Sequence, residues 1–273
     1  MIEVPADPQT GIKIGIAVVL GPGDAGKTTI AAALARDWCP AGLEEKMIVV
    51  GPVQKLAQLL HVPNHAVDTK DRKAQDAFFG RINETEGALL VVVDEADLYY
   101  SAGGRYYGSK EFQELVNIGR NFGKSLILVA RGTSDLAKNT INQARIILMA
   151  KTQEPNLLDY AERYMDVESV GPGGIPDSRQ EISELLPHEF IVWCPKMNPM
   201  WQGYAQVIGG QIYLQPAPSS TNPEASGSST PDEAPTSPDA TAPIPVAAGS
   251  SPTASTPTSA TSTTPSGSGR TTG

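Results

Sequence analysis

Apolar residues in the first two-thirds of the chain fall in short, nearly continuous runs, separated by longer stretches with helical spacing. Ile12 to Leu20 is rich in β-branched residues and bounded by glycines, which predicts a buried strand. Lys27 to Trp38 is rich in alanine and predicts a helix that ends before Pro40. Met47 to Val50 predicts a second strand, stopped by Gly51 and Pro52. Thr69 to Asn83 is polar but carries Ala74, Ala77, Phe78 and Ile82 at helical spacing. Ala88 to Val93 predicts a third strand. Ser109 to Phe122 predicts a helix with Phe112, Leu115, Val116 and Ile118 on or near one face. Ser125 to Ala130 predicts a fourth strand, and a helix from about Leu136 leads into a fifth at Arg145 to Ala150. Continuous apolar strands alternating with helices imply an α/β fold, with a mostly parallel sheet covered on both faces.

After Lys151 the pattern weakens. Pro155 to Met165 has the look of a helix, the VGPGGIP run from Val170 to Pro176 of a loop, and Glu189 to Cys194 of a strand. Gln206 to Leu214 suggests a hairpin around Gly209-Gly210. From about Pro216 to Gly273 the sequence is almost wholly Ser, Thr, Pro, Ala and Gly, without an aromatic residue. Such a segment cannot bury enough apolar surface to offset the entropy of ordering it, so a disordered tail is expected over 216–273 and a folded body over 1–215.

Charge narrows the choice of partner. The chain carries −9, of which the tail's four acids and one base account for −3, leaving −6 to the body. This argues against a monomer with a broad basic face for nucleic acid, though not against a few basic loops gathered in a ring. The two cysteines, Cys39 and Cys194, form no CxxC motif and sit in apolar contexts, which predicts buried thiols. The N-terminus lacks the features of a secretory signal, and the longest apolar runs are too short to span a bilayer, so direct membrane insertion is not expected.

The chemistry-bearing feature is Gly21-Pro22-Gly23-Asp24-Ala25-Gly26-Lys27-Thr28, which fits G-x-x-x-x-G-K-[ST] at every fixed position. It lies between a predicted strand and a predicted helix. Small residues let the backbone wrap a phosphate with its N–H groups turned inward, and the following helix presents its positive end. Lys27 is placed to reach β- and γ-phosphates, Thr28 to put its hydroxyl on Mg²⁺, and Thr29 to touch the α-phosphate. The second feature is Leu89-Leu-Val-Val-Val-Asp94-Glu95, an apolar strand ending in two acids. At the carboxyl end of a parallel strand Asp94 would serve the Mg²⁺ shell, and Glu95 would act as general base on the attacking water.

Other positions carry two readings each. At the end of the fourth strand Arg131 or Thr133 could sense the γ-phosphate, or the segment is an ordinary turn with Ser134 or Asp135 as helix cap. Arg120 and Arg145 could act in trans as arginine fingers, or form surface ion pairs. Tyr99, Tyr100, Arg105, Tyr106 and Tyr107 could form a nucleic-acid loop or a subunit contact. Pro63 separates His61 from His65, and His188 stands isolated, so no metal site built from protein ligands alone is expected.

From about Ile12 to Met165 the sequence resembles the HerA/FtsK superfamily of DNA-pumping ATPases. The resemblance is carried by GPGDAGKT, by LLVVVDEAD and by NIGRNFGKSLILVARGTSDLAKNTINQARIILMAKTQEPNLLDYAERY. In size and in its EPNLLDY segment the chain is most similar to genome-packaging ATPases of tailless, membrane-containing icosahedral viruses. The resemblance implies a RecA-like (ASCE) three-layer P-loop NTPase, with the fourth strand between the P-loop strand and the acidic strand. It also implies ATP and Mg²⁺ as cofactors, a hexameric ring, double-stranded DNA as cargo, and capsid vertex or portal proteins as partners. The location implied is the virion's packaging vertex and the host cytoplasm. A cellular or plasmid DNA-processing ATPase of the same superfamily, and a morphogenesis ATPase of the zonula-occludens-toxin type, are the alternatives. One departure stands out: relatives often carry Gln-Arg-Pro or Arg-Arg-Pro after the fourth strand, where this chain has Arg131-Gly132-Thr133. Gly132 removes a second arginine there, which shifts weight to Arg120 and Arg145.

Overall fold

Five of the apolar runs lie side by side as parallel strands, so that the segments following them all emerge at one end of a single sheet. The computed structural model describes residues 4–99, 109–132, 136, 138–164, 182, 183, 185, 186, 188–196 and 201–216. In chain order the elements are β1 (Ile16–Leu20), α1 (Lys27–Trp38), β2 (Met47–Val50), α2 (Lys55–Leu60), β3 (Asn64–His65), α3 (Arg72–Glu84) and β4 (Leu89–Val93). There follow α4 (Lys110–Ile118), β5 (Lys124–Ala130), α5 (Lys138–Gln143), β6 (Ile146–Ala150), α6 (Pro155–Tyr164), β7 (Glu189–Cys194), β8 (Trp201–Ile208) and β9 (Gln211–Pro216). The strands form one sheet in the order β3-β2-β4-β5-β1-β6-β7-β8-β9. The first six are parallel and the last three antiparallel. As expected, β5 sits between β1 and β4.

The alternation of side chains across β1 sorts the core into two layers. Ile16, Val18 and Leu20 face a cluster with Phe79 and Ile82 of α3, Phe112, Leu115 and Val116 of α4, and Leu157 of α6. Ala17 and Val19 face the opposite cluster, with Ile30, Leu34 and Trp38 of α1 and Leu56 and Leu60 of α2. Both faces of β4 and β5 are buried throughout, which is why LLVVV of β4 and LILVA of β5, after its buried Lys124 and Ser125, read as apolar runs. Helix α1 buries Ala31, Ala32, Ala33 and Ala35 besides its large residues, and these small side chains let it lie close against the sheet.

Several boundaries differ from expectation. The first strand is shorter than Ile12 to Leu20, because Lys13 pairs with Ala6 in an antiparallel bridge and the Ile14 N–H donates to Pro5, not to the sheet. Ile12 is still fully buried. In the helix after Ser109, Ile118 is partly exposed, and the chain tightens into a 3₁₀ turn over Gly119–Phe122. Ser109 caps α4 by accepting from the Phe112 N–H at 3.1 Å, and Asp71 caps α3 by accepting from the Ala74 N–H at 3.0 Å. Helix α2 and the short β3 carry no periodic signal that would predict them. The expected hairpin exists, but its strands run from Trp201 to Pro216, with positive φ at both turn glycines. Cys39 and Cys194 are buried free thiols, as expected, and burial pushes them up to about 11 and about 12. The VGPGGIP segment and the tail from 217 onward lie outside the described residues.

Candidate functional site

The site assembles at the carboxyl ends of β1, β4, β5 and β6. Register fixes this: Leu20 pairs with Ala130 and Met149, and Val93 pairs with Val50 and Leu128. Hence Gly21, Asp94, Arg131 and Lys151, each the next residue after its strand, emerge together.

The phosphate loop runs from Gly21 into α1. Gly26 stands at the helix start with φ 83°, a left-handed conformation that costs a residue with a Cβ about 1 kcal/mol or more. Turning the chain there lets the helix begin at Lys27, and the Gly26 carbonyl accepts from the N–H groups of Thr29 and Ile30 at 3.0 and 3.1 Å. The N–H groups ahead of that first helical bond have no intrahelical acceptor and are available to an anion. Lys27 Nζ donates to the Pro22 carbonyl at 2.5 Å, bending back over its own loop. Burial pulls the Lys27 ammonium below its ordinary range, opposed by the charge of Asp94.

Asp94 continues the line of β4: its N–H donates to the Val50 carbonyl at 2.8 Å. Its side chain is almost enclosed, at 9% exposure. Burial raises its carboxyl above the usual range, partly offset by the Glu95 N–H, which donates to Asp94 Oδ1 at 3.1 Å. Gly51 makes room for this placement, since a Cβ at that position would lie 2.9 Å from Asp94 Cβ. Glu95 takes a left-handed backbone, φ 50° and ψ 50°, uncommon for a residue with a side chain and often a mark of function. Its carboxylate accepts from Arg131 Nη2 at 3.0 Å.

The structure thus brings together Lys27, Asp94, Glu95 and Arg131, as the sequence predicts. Thr28 and Thr29 lie in the first turn of α1. The donor set of a Thr28 hydroxyl and an Asp94 carboxylate is all oxygen, which suits Mg²⁺ completed by phosphate oxygens and water. Among the described residues no group of three or more His, Cys, Asp or Glu side chains gathers as metal ligands.

Two expected residues are elsewhere. Arg120 lies in the turn before β5 and Arg145 immediately before β6, both at the amino end of the parallel strands, opposite the phosphate loop. There they approach Lys196, whose ammonium burial lowers and their positive charge lowers further. Among the described residues neither arginine forms an ion pair. Tyr99 is buried and donates to the Val67 carbonyl at 3.3 Å; it is packed edge-on against Phe79 and belongs to the core. Tyr100, Arg105, Tyr106, Tyr107, Thr133, Ser134 and Asp135 lie outside the described residues.

The imidazole of His188 lies directly against Gly26, where an added Cβ would come 3.1 Å from His188 Cε1 and closer still to Nδ1. No local pattern in the sequence could reveal this, because the contact depends on β7 pairing antiparallel to β6 and so starting beside the phosphate loop.

No protein-family model matches the chain, and no curated protein matches it either. Solved structures do. The genome packaging NTPase B204 from Sulfolobus turreted icosahedral virus 2, in complex with sulfate, is 17% identical, with 71% of this chain and 98% of that chain covered at a TM-score of 0.51. The same NTPase in complex with ATP-gammaS is 17% identical over 70% of this chain and 96% of that chain, TM-score 0.49. The N-terminal domain of zonular occludens toxin from Neisseria meningitidis is 13% identical over 72% and 95%, TM-score 0.46. At such identities the likeness is one of fold. With the phosphate loop after β1, the acidic pair after β4 and β5 between them, the fold of this chain is that of the RecA-like P-loop NTPases.

Proposed function

We propose that this protein hydrolyses ATP with Mg²⁺ and uses the energy to move double-stranded DNA into a preformed capsid, working as a homo-oligomeric ring. The observation that carries the ATPase reading is the convergence of Lys27, Asp94, Glu95 and Arg131 at the mouth of the phosphate loop. The loop N–H groups and Lys27 hold the β- and γ-phosphates. Asp94 and Thr28 would hold Mg²⁺, which would supply charge neutralisation on the phosphates. Glu95 accepts a proton from water as its oxygen attacks the γ-phosphorus, and the bond to the β-phosphate oxygen breaks, giving ADP and phosphate. Arg131 holds Glu95 in place and stands beside the transferred group.

The DNA-packaging part rests on the sequence resemblance and is supported by the fold shared with a genome packaging NTPase. In a ring, Arg120 or Arg145 at the far end of one subunit's sheet would meet the phosphate loop of the next and stabilise charge on its γ-phosphate in trans. Exposed Phe122, close to Arg120 in sequence, gives that end an apolar contact as well. Capsid vertex or portal proteins would be the ring's partners, with the protein in the virion and the host cytoplasm. Among the described residues no helix is long and apolar enough to cross a membrane.

An ATPase assay with and without double-stranded DNA, with Glu95→Gln as control, tests the proposal. DNA-stimulated phosphate release that Glu95→Gln abolishes is the expected result. Turnover indifferent to DNA would remove the translocase reading, and turnover that survives Glu95→Gln would remove the assigned base.

A further inference from the structure

The hydrolytic groups lie on one side of the phosphate loop, and a cavity of about 620 Å³ opens on the other. In the sheet order β4-β5-β1-β6-β7, Asp94, Glu95 and Arg131 follow β4 and β5, while the cavity lies beyond β6 and before β7. Its walls include Ala25 of the loop, Thr152, Gln153 and Pro155 after β6, and Leu186 and His188 before β7. A triphosphate with its γ end at Glu95 must therefore direct its nucleoside end here. The volume falls in the range of small-molecule sites, roughly 300–1,000 Å³.

We infer that this cavity is the nucleoside subsite and that His188 is its stacking residue, favouring purine nucleoside triphosphates through the face of the base. The inference rests on the phosphate-loop reading proposed above.

Two observations support it. First, His188 is held in a left-handed backbone, φ 67°, a conformation that keeps its ring over Gly26 at the rim of the cavity. The neighbouring turn is fixed from both sides: the Leu186 N–H donates to Glu189 Oε2 at 2.8 Å, and the Glu189 N–H donates to the Leu186 carbonyl at 3.0 Å. Second, Leu186 in the same wall is 60% exposed, an apolar surface that a flat base would cover. Stacking on such a face favours the larger ring system.

The test compares ligands with and without a nucleoside, on the whole chain. Dissociation constants for ATP, GTP, CTP, UTP and inorganic tripolyphosphate, each with Mg²⁺, are measured for the natural sequence, His188→Ala and His188→Phe. Expected are ATP and GTP bound more tightly than CTP and UTP. His188→Ala weakens ATP about tenfold, equivalent to ~1.4 kcal/mol, and leaves tripolyphosphate unchanged. His188→Phe, which keeps an aromatic face, restores most of the ATP affinity. Equal losses of ATP and tripolyphosphate in His188→Ala would make His188 a support of the phosphate loop and overturn the inference. So would ATP affinity unaffected by His188→Ala, or ATP bound no more tightly than tripolyphosphate by the natural sequence; the phosphate-loop reading survives both. A natural chain that binds neither ATP nor tripolyphosphate ends both readings.

Discussion

Arg131 Nη2 lies 3.0 Å from Glu95 Oε1, joining the residue after β5 to the second acid after β4 across neighbouring strands. Both side chains keep contact with solvent, Arg131 at 65% and Glu95 at 30% exposure, so the pair contributes about 1 kcal/mol or less to stability. Its worth is positional. Glu95 stands in a left-handed backbone, and Arg131 anchors its carboxylate. If Glu95 is the base proposed above, Glu95→Gln should lower single-turnover hydrolysis by about 10²–10⁴-fold, with nucleotide binding retained. Arg131→Ala should also slow the single turnover, by less, without moving the melting temperature appreciably. Quench-flow phosphate release beside a binding titration separates the two effects. Unchanged turnover in Arg131→Ala would remove it from the site.

Gly51 and Asp94 make a tighter pair. A Cβ at position 51 would stand 2.9 Å from Asp94 Cβ, and no flexible chain end lies between them to yield. Gly51→Ala should push the Asp94 carboxylate away from Thr28 and weaken Mg²⁺-dependent hydrolysis, at a stability cost of about 1–3 kcal/mol from overpacking. Raising Mg²⁺ should recover part of the lost rate. Binding of tripolyphosphate without metal, which depends on the loop and Lys27, should change little. A variant with the natural Mg²⁺ dependence would refute the assignment of Asp94 to the metal shell.

The pair also shows what a sequence can reveal. The phosphate loop, Asp94, Glu95 and Arg131 were legible because each follows an apolar run directly, and parallel pairing must deliver strand ends to one place. Gly51 was legible only as the stop of a strand; its steric role depends on β2 lying beside β4. Lys124 is fully buried inside β5, donating to the carbonyls of Thr85 and Gly87, yet a lysine naturally reads as a boundary, so the strand was expected to begin at Ser125. Helix α2 and β3, between Pro52 and the polar start of α3, are too short for periodicity to register. The His188 contact was hidden because it depends on the one antiparallel turn of the sheet beside the loop.

Asp94 offers a pH-linked prediction. Burial raises its carboxyl above the ordinary value of 3.8, so the protonated form is the one the fold prefers. A raised carboxyl contributes stability that is fully present below the unfolded value and is lost as pH rises through the folded one. At neutral pH the ionised Asp94 is therefore a burden on the fold. Asp94→Asn keeps an oxygen to accept from the Glu95 N–H and removes the charge. It should raise the melting temperature at pH 7 by about 2–4 °C for each kcal/mol relieved, and the gain should shrink toward pH 4. Hydrolysis should be lost. Thermal melts of both proteins at several pH values check this; a destabilised Asp94→Asn at pH 7 would contradict it.

Arg120 sits at the amino end of the parallel strands, out of reach of its own Glu95, so a role for it in hydrolysis requires a neighbour. This can be tested without knowing ring size. Arg120→Ala should reduce turnover by about 10³–10⁵-fold if it supplies the finger, and Glu95→Gln abolishes it for a different reason. Mixing the two inactive proteins creates interfaces in which an intact Glu95 from one subunit faces an intact Arg120 from the next. Those interfaces should hydrolyse ATP, so activity should reappear on mixing and rise with the fraction of mixed contacts. The same experiment with Arg145→Ala in place of Arg120→Ala decides between the two arginines. Mixtures that stay inactive in both cases would mean that neither arginine acts across a subunit boundary, and that the basic cluster with Lys196 serves another anion.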